Sequence, residues 1–178
     1  MKPENIVKFL IEAGKLKRVK RKGWVIHGIK NPESVAEHSF RTALMAAILA
    51  DKFSVNREKT VIMALIHDLA ESVVGDISLH DKISKKEKHE KEKKAFEKLT
   101  SVLGDKELYN LWLEFEKGKT KEAQLVRQLD KLEMHLQAME YEWSQKRDLS
   151  EFFSLVDNEV KNKELKKLLN VILKTRKS

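Results

Sequence analysis

The sequence predicts an all-α protein, and three observations lead to that prediction. Only 6 glycines and 2 prolines occur in 178 residues, which leaves little material for turns. No segment alternates apolar and polar residues between turn signals, as a half-buried strand would. Residues that commonly cap helices stand directly before segments with a helical period of apolar residues. A chain of this length encloses one hydrophobic core, so we expect residues 1–178 to form a single domain.

The apolar period and the helix-stop residues define the predicted elements. Helices are expected over residues 5–13, 34–52, 56–74, 84–103, 106–117, 120–145, 149–160 and 164–174. The first helix ends at Gly14, and residues 15–32 are expected to be irregular because they contain glycines and a proline. Ser34 begins the second helix with the spacing of a capping box, and Ser54 or Asn56 caps the third.

The remaining helix ends are also visible in the sequence. Gly75 ends the third helix, and residues 75–83 are expected to form a loop. Ser84 begins the fourth helix with a second capping box, and Gly104 ends it. The fifth helix is followed by Gly118, and Thr120 caps the long sixth helix. Two shorter helices, over residues 149–178, complete the chain.

The composition excludes several classes of site. There is no cysteine, which excludes disulfides, zinc–thiolate sites, iron–sulfur clusters and a cysteine nucleophile. Any metal must therefore be held by His, Asp and Glu. No run approaches the roughly 18 consecutive apolar residues of a membrane-spanning helix. The first residues lack the pattern of a signal peptide, so we expect a cytoplasmic protein without membrane association.

The net charge of +8 invites a nucleic-acid interpretation, which the distribution of charge disfavours. Lysines alternate with glutamates over residues 85–99, as on a solvated helix face. The denser patch, KLKRVKRK at residues 15–22, is short and suits a single phosphate as well as a polymer.

The most informative segment is VIMALIHDLAESVV, residues 61–74. Its helix is apolar on nearly every side, which is typical of a central position in the fold. It nevertheless carries His67, Asp68 and Glu71, which the helical period places on one side. A single histidine here would most simply be a buried residue satisfied by a carboxylate. Three ionisable groups together favour a functional site, because buried charges are costly unless they are paired or bind a metal.

Two further residues on other predicted helices belong to the same chemistry. His38 lies near the start of an apolar helix, where a capping or surface histidine is the alternative. Asp130 lies at the edge of an apolar stripe, and an exposed ion-paired aspartate is the alternative there. No basic residue stands four positions after Asp130, which weakens that alternative. Imidazole and carboxylate ligands suit Mn, Co, Ni, Zn, Fe or Mg, and such a metal can activate water, so hydrolysis is the natural reaction class.

A histidine, an adjacent His-Asp pair and a distant aspartate on successive helices resemble the HD-domain metal-dependent phosphohydrolase superfamily. The strings HDLAESVVGDI (67–77) and GWVIHGIKNPESVAEHS (23–39) resemble, more narrowly, the HD-domain 5′-deoxynucleotidase family. The resemblance covers about residues 6–143, with PESVAEH, HDxxExxxGD and QLDKLEM in that order. It implies the helical HD-domain fold with a metal between helices.

The resemblance also implies roles for individual residues. The implied ligands of the first divalent metal are His38, His67, Asp68 and Asp130. Glu71 and Asp76 are implied to act near the phosphate, either directly in catalysis or, with the backbone of Ile77, at a second metal. We expect Glu71 to be the general acid or base.

Substrate contacts are the remaining implied roles. Trp24 matches an aromatic residue that the family places near the nucleoside sugar, with an ordinary core aromatic as the alternative of equal weight. In part of the family an arginine precedes that tryptophan and contacts the phosphate, but here the position is Gly23. Arg18 or Arg21 is then expected to supply the charge, since a guanidinium binds phosphate with two hydrogen bonds, and Lys22 is a weaker candidate.

The predicted function is metal-dependent hydrolysis of 5′-deoxyribonucleoside monophosphates to a deoxynucleoside and phosphate. The first alternative is another reaction of the superfamily, on a dNTP, a cyclic nucleotide or an alarmone. The second is a basic helical nucleic-acid-binding protein with a vestigial metal site, and the third is a scaffold with a structural metal. The resemblance also implies a homodimer, with which the aromatic residues of the C-terminal helices agree.

Overall fold

The computed structural model describes residues 1–78, 81–104, 106–154 and 160–177. Within these ranges the α-helices are α1 (Pro3–Ala13), α2 (Lys22–Ile26), α3 (Val35–Leu49), α4 (Arg57–Ile66), α5 (Glu71–Val74), α6 (Lys85–Ser101), α7 (Glu107–Lys117), α8 (Lys121–Gln145), α9 (Ser150–Ser154) and α10 (Lys163–Arg176). Short 3₁₀ helices cover Gly14–Lys17 and Ala50–Phe53. The described residues form no strand, so the all-α prediction is confirmed. Residues 155–159 of the predicted helix 149–160 lie outside the described residues.

The helix starts follow the capping residues of the sequence. Ser34 and Ser84 each accept a hydrogen bond from the backbone three residues later, and both predicted capping boxes are complete. Asn56 rather than Ser54 caps α4, and Thr120 caps α8. Gly118 ends α7 in the left-handed region at φ 62°, which a glycine adopts without strain.

The long helix α8 is the centre of the fold. It packs against α3, α4, α7 and α10. Its fully buried residues Val126, Leu129 and Leu132 share a core cluster with Ala46 of α3 and Met63 of α4. Asp130 lies on this same central helix, so the position of the core also sets the position of the site.

The structure divides the predicted helix 56–74 into α4 and α5. Between them the backbone forms tight turns, in which the N–H groups of Leu69 and Glu71 bond to carbonyls three residues earlier. Trp112 of α7 donates its indole N–H to the carbonyl of His67, 3.2 Å away. A side chain from another helix thus satisfies a carbonyl at the interruption, which the local sequence does not indicate.

The segment predicted to be irregular contains a short helix. Residues 22–26 form α2, and an isolated antiparallel bridge joins Lys20 to Ser34. This bridge holds the basic segment against the start of α3, next to the site. None of the helices in the described ranges combines the length and apolar character needed to cross a membrane.

Candidate metal centre

Three elements bring the four predicted metal ligands together. His38 comes from α3, His67 and Asp68 from the interruption after α4, and Asp130 from α8. The Nε2 atom of His38 lies 3.1 Å from Asp130 Oδ1 and 3.7 Å from Asp68 Oδ2. The Nε2 atom of His67 lies 3.3 Å from the same Asp68 oxygen. Candidate ligand atoms of His38, His67 and Asp68 all lie within 4.8 Å of one another.

The two histidines present the atoms that a metal requires. The Nδ1 atom of His67 is hydrogen-bonded to the carbonyl of Ala64 at 2.7 Å, and Nδ1 of His38 is hydrogen-bonded to Glu133. Both buried Nε2 atoms lie close to carboxylate oxygens, but among the described residues neither makes a contact with hydrogen-bond geometry. Buried polar atoms without partners are uncommon in folded proteins. Two such nitrogens facing two carboxylates therefore fit a divalent metal held by His and Asp.

The charges of the site favour the ionised carboxylates. Burial opposes ionisation of Asp68, but His67, Arg21 and His38 outweigh it and hold its pKa well below the ordinary value. Burial likewise opposes ionisation of Asp130, and Lys131 and His38 hold its pKa well below the ordinary value. Two carboxylates that stay ionised in a buried site are the donors that a divalent cation needs.

The arginines proposed for the substrate differ in their positions. Arg21 lies against the site, with Nη1 3.1 Å from Asp68 Oδ2 and Nη2 3.8 Å from Asp130 Oδ1. Arg18 is exposed, at the end of the first 3₁₀ helix. Of the two arginines, only Arg21 contacts the carboxylates of the predicted ligands Asp68 and Asp130.

Glu71 and Asp76 lie beside this centre on α5 and the loop after it. Glu71 is buried, and its Oε2 atom has no hydrogen-bond partner among the described residues. Burial, followed by repulsion from Asp68 and Asp76, raises the pKa of Glu71 well above its ordinary value. Asp76 accepts a hydrogen bond of 2.6 Å from the backbone N–H of Lys22, which ties the loop to α2.

A lysine occupies the region proposed for a second metal. The Nζ atom of Lys88 donates to the backbone oxygen of Ile77 at 2.7 Å and lies 3.4 Å from Glu92 Oε1. The nearby charges of Glu92, Glu71 and Asp68 outweigh burial and raise the pKa of Lys88. A second cation at the Ile77 carbonyl would have to displace this ammonium group.

Trp24 is buried in a small aromatic cluster. The residue is 2% exposed, and its ring packs against Tyr141 and Phe152 at centroid distances of 5.4 and 4.5 Å. Its indole N–H donates to Glu33 at 2.9 Å. Gly23 lies beside the same cluster, where an added Cβ would come 3.7 Å from the ring of Phe152. The involvement of Trp24 in sugar selection stays a prediction.

A cavity of about 800 Å³ opens from the ligands. Its wall includes His67, Asp68, Glu71, Lys88, Glu92 and Asp130, and it extends between α6, α7 and the first half of α8. The volume suits a small organic substrate. Six of the predicted residues do not belong to the described wall of this cavity: Arg18, Arg21, Trp24, His38, Asp76 and Ile77.

Three charged residues of the site are not among the predicted ones. Lys88 lies within a lysine- and glutamate-rich helix, where nothing distinguishes it from its solvated neighbours. Glu133 carries a usable signal, because it stands four residues after Leu129 and so places a carboxylate on the apolar stripe of α8. Arg41, three residues after His38, is the partner of Glu133. A buried charge at a stripe position indicates a paired group.

Known proteins resemble this chain over most of its length. The HD domain family matches residues 13–172. The 5′-deoxynucleotidase HDDC2 of Danio rerio is 46% identical over 171 residues, which are 93% of this chain and 85% of the relative.

Two solved structures share the fold. The PH0347 protein of Pyrococcus horikoshii OT3 has a TM-score of 0.80 at 37% identity, covering 96% of this chain and 97% of that one. A predicted metal-dependent phosphohydrolase of Magnetospirillum magnetotacticum MS-1 has a TM-score of 0.77 at 27% identity, covering 97% and 91%.

Proposed function

This chain belongs to the HD domain family, and from that premise we propose that it is a metal-dependent 5′-deoxynucleotidase. It hydrolyses 5′-deoxyribonucleoside monophosphates to a deoxynucleoside and phosphate. The observation that carries the proposal is the convergence of two histidine nitrogens that make no hydrogen bond and two carboxylates, beside a substrate-sized cavity lined by His67, Asp68 and Asp130. The similarity to proteins named 5′-deoxynucleotidase does not favour the dNTP, cyclic-nucleotide, alarmone or nucleic-acid-binding alternatives.

His38, His67, Asp68 and Asp130 are the proposed ligands of the metal. A divalent metal held by these residues would supply Lewis-acid chemistry for the phosphate and for a water molecule near neutral pH. The lowered pKa values of Asp68 and Asp130 favour their ionised forms, which would offset the charge of a divalent cation at this site. The described donors are imidazole nitrogens and carboxylate oxygens, which suit Mn, Co, Ni, Zn, Fe or Mg.

Glu71 is the proposed general acid. Its raised pKa favours the protonated carboxyl group, and its Oε2 atom makes no hydrogen bond among the described residues that would keep it from the substrate. In the proposed step the carboxylic acid donates that proton to the 5′-oxygen as the bond from phosphorus to this oxygen breaks. Asp76 supports this role, because its repulsion helps to keep Glu71 protonated.

The phosphate needs positive charge, and two cations flank the carboxylates. Arg21 lies on one side, against Asp68 and Asp130, and Lys88 lies on the cavity wall. We assign the phosphate contact of the protein to these two residues rather than to the exposed Arg18. Lys88 at the Ile77 carbonyl supports direct action of Glu71 and Asp76 over a second metal at that carbonyl.

The sugar preference is proposed to depend on Trp24. Because its ring is buried, its effect on the 2′-position would be exerted through the packing of α2 against Tyr141 and Phe152. A Trp24→Phe variant should lower the ratio of kcat/KM for dNMPs to that for NMPs. An unchanged ratio would assign Trp24 to the core alone.

We also propose that the protein is a homodimer and that it acts in the cytoplasm. Phe40, Leu44 and Ile48 are spaced four residues apart on α3, and each is at least 48% exposed. Such an apolar row is typical of an interface. Light scattering should give twice the mass of one chain for the wild type and the single mass for Phe40→Glu.

Cytoplasmic action agrees with a nucleotide substrate, and immunolocalisation with a cytoplasmic marker tests it.

Phosphate release decides the main proposal. The protein is freed of metal, supplied in turn with Mn²⁺, Co²⁺, Mg²⁺, Ni²⁺ or Zn²⁺, and given matched dNMPs and NMPs. We expect metal-dependent release from dNMPs, its loss in Asp68→Ala, and its retention in Asp51→Ala, which removes an exposed aspartate. Full activity of Asp68→Ala, or no release from any monophosphate with any metal, would refute the proposal.

A further inference from the structure

Glu133 is a fully buried carboxylate one helical turn after Asp130 on α8. It accepts a hydrogen bond from Nδ1 of His38, on the side of the imidazole opposite Nε2. Its other oxygen accepts from Nε of Arg41 at 2.8 Å. A buried charge is tolerated only when it is paired, and both oxygens of Glu133 are engaged.

Arg41 is itself held at three points along α8. Its Nη1 atom donates to both carboxylate oxygens of Glu140 at 2.8 Å, and Nη2 donates to Gln137 at 2.6 Å. With Glu133, these acceptors lie on successive turns of one helix. The guanidinium is therefore fixed from α3 onto α8, and it fixes Glu133 in turn.

The two histidines differ in what holds their Nδ1 atoms. His67 is bonded to a neutral backbone carbonyl, that of Ala64, whereas His38 is bonded to a carboxylate. A carboxylate acceptor requires the proton on Nδ1 and leaves the lone pair on Nε2 for a metal. It also makes the imidazole a better electron donor than a neutral acceptor does.

Glu33, His38 and Glu133 also bring possible ligand atoms within 4.8 Å of one another. These atoms are not available to a metal, because both Glu133 oxygens and Nδ1 of His38 are already hydrogen-bonded. Glu33 Oε1 accepts the indole N–H of Trp24. The group is thus a hydrogen-bonded layer behind His38 rather than a separate metal site.

We propose that Glu133 is a positioning residue for the metal. It holds His38 with Nε2 turned towards Asp68 and Asp130, and Arg41 keeps Glu133 in place. This inference rests on the proposed function in one respect, that a divalent metal binds at His38. It adds that one helix, α8, supplies both a ligand, Asp130, and the group that orients a ligand from another helix.

The test is calorimetric titration of metal-free protein with Mn²⁺ and, separately, with Co²⁺. We expect Glu133→Gln to raise Kd by about 10- to 100-fold, because an amide pairs with His38 but faces Arg41 less favourably. Arg41→Met should give a smaller increase. Glu142→Gln is the matched control, since Glu142 also lies on α8 and binds an arginine, Arg176, away from the cavity.

A second readout separates positioning from folding. Far-UV circular dichroism and the Tm of the metal-free variants report the fold, while excess Mn²⁺ should restore kcat in Glu133→Gln with little change in the KM for a dNMP. A folded Glu133→Gln with the wild-type Kd would overturn the inference. If that variant fails to fold, an unchanged Kd in Arg41→Met overturns it. Failure of the wild type to bind either metal would instead refute the proposed function.

Discussion

Glu92 on α6 offers a quantitative test of the electrostatics of the cavity wall. Burial raises its pKa, Lys88 lowers it, and Glu116 and Asp68 raise it, so that the pKa reaches about 7 instead of the ordinary 4.5. The carboxyl side chain is 13% exposed, so solvent screens it little. The Glu92→Gln variant keeps the shape and removes the charge.

The pKa values set the size of the effect. Each unit of pKa corresponds to about 1.36 kcal/mol, so ionised Glu92 costs the folded state about 3 kcal/mol. This cost already includes the attraction to Lys88, which lowers the pKa of Glu92. We therefore expect Glu92→Gln to raise the free energy of unfolding by about 3 kcal/mol at pH 8.

The direction of the pH dependence follows from the raised pKa. Below the unfolded pKa of 4.5 the carboxyl group is protonated in both states, and the wild type carries no penalty. As the pH rises through the folded pKa of about 7, the wild type loses stability that the variant keeps. The advantage of Glu92→Gln should therefore be small near pH 4.5 and complete by pH 8.

Urea unfolding of chelator-treated protein measures this difference. The free energies of unfolding are compared at pH 5 and pH 8 for the wild type, Glu92→Gln and Glu97→Gln. Glu97 is an exposed residue of the same helix and controls for the general effect of removing a negative charge. A gain at pH 8 no larger than at pH 5, or an equal gain in Glu97→Gln, would refute the reasoning.

Three further outcomes are expected. Glu71→Gln should lower kcat for dNMPs by about 10²- to 10⁴-fold in steady-state assays, as expected for a general acid; wild-type kcat would remove that role. Lys88→Met should raise the KM for dNMPs and leave the Mn²⁺ affinity in the wild-type range or tighter, whereas an unchanged KM would argue against a phosphate contact. Leu132→Ala should lower the free energy of unfolding by about 2–5 kcal/mol in urea, because the side chain is fully buried in the core; a loss below 1 kcal/mol would contradict that packing.

Local chemistry made much of the fold predictable. Ser34, Ser84 and Thr120 mark helix starts, because the side chain of a cap bonds to a backbone group only three residues away. Gly118 marks a helix end for a similarly local reason, its left-handed backbone. Helix boundaries of this kind need no knowledge of the rest of the molecule.

The interruption at His67 was not predictable in the same way. The sequence around it favours a continuous helix, and the carbonyl of His67 is satisfied by Trp112, 45 residues further along the chain. Lys88 is a comparable case, since its partner at Ile77 lies across a loop from α6. These contacts depend on which helices become neighbours in the folded protein, and a local sequence pattern does not indicate those neighbours.

The sequence by itself determined the helical class, most helix ends and the residue types that form the candidate metal centre. The tertiary structure decided how those residues are used: Glu133 and Arg41 support His38, Arg21 faces the carboxylates, and Trp24 lies in a buried aromatic cluster. The physical reason is the distance along the chain over which each interaction acts. Caps and apolar periods act within a few residues, whereas the orientation of a ligand and the charge around it are set by groups that only folding brings together.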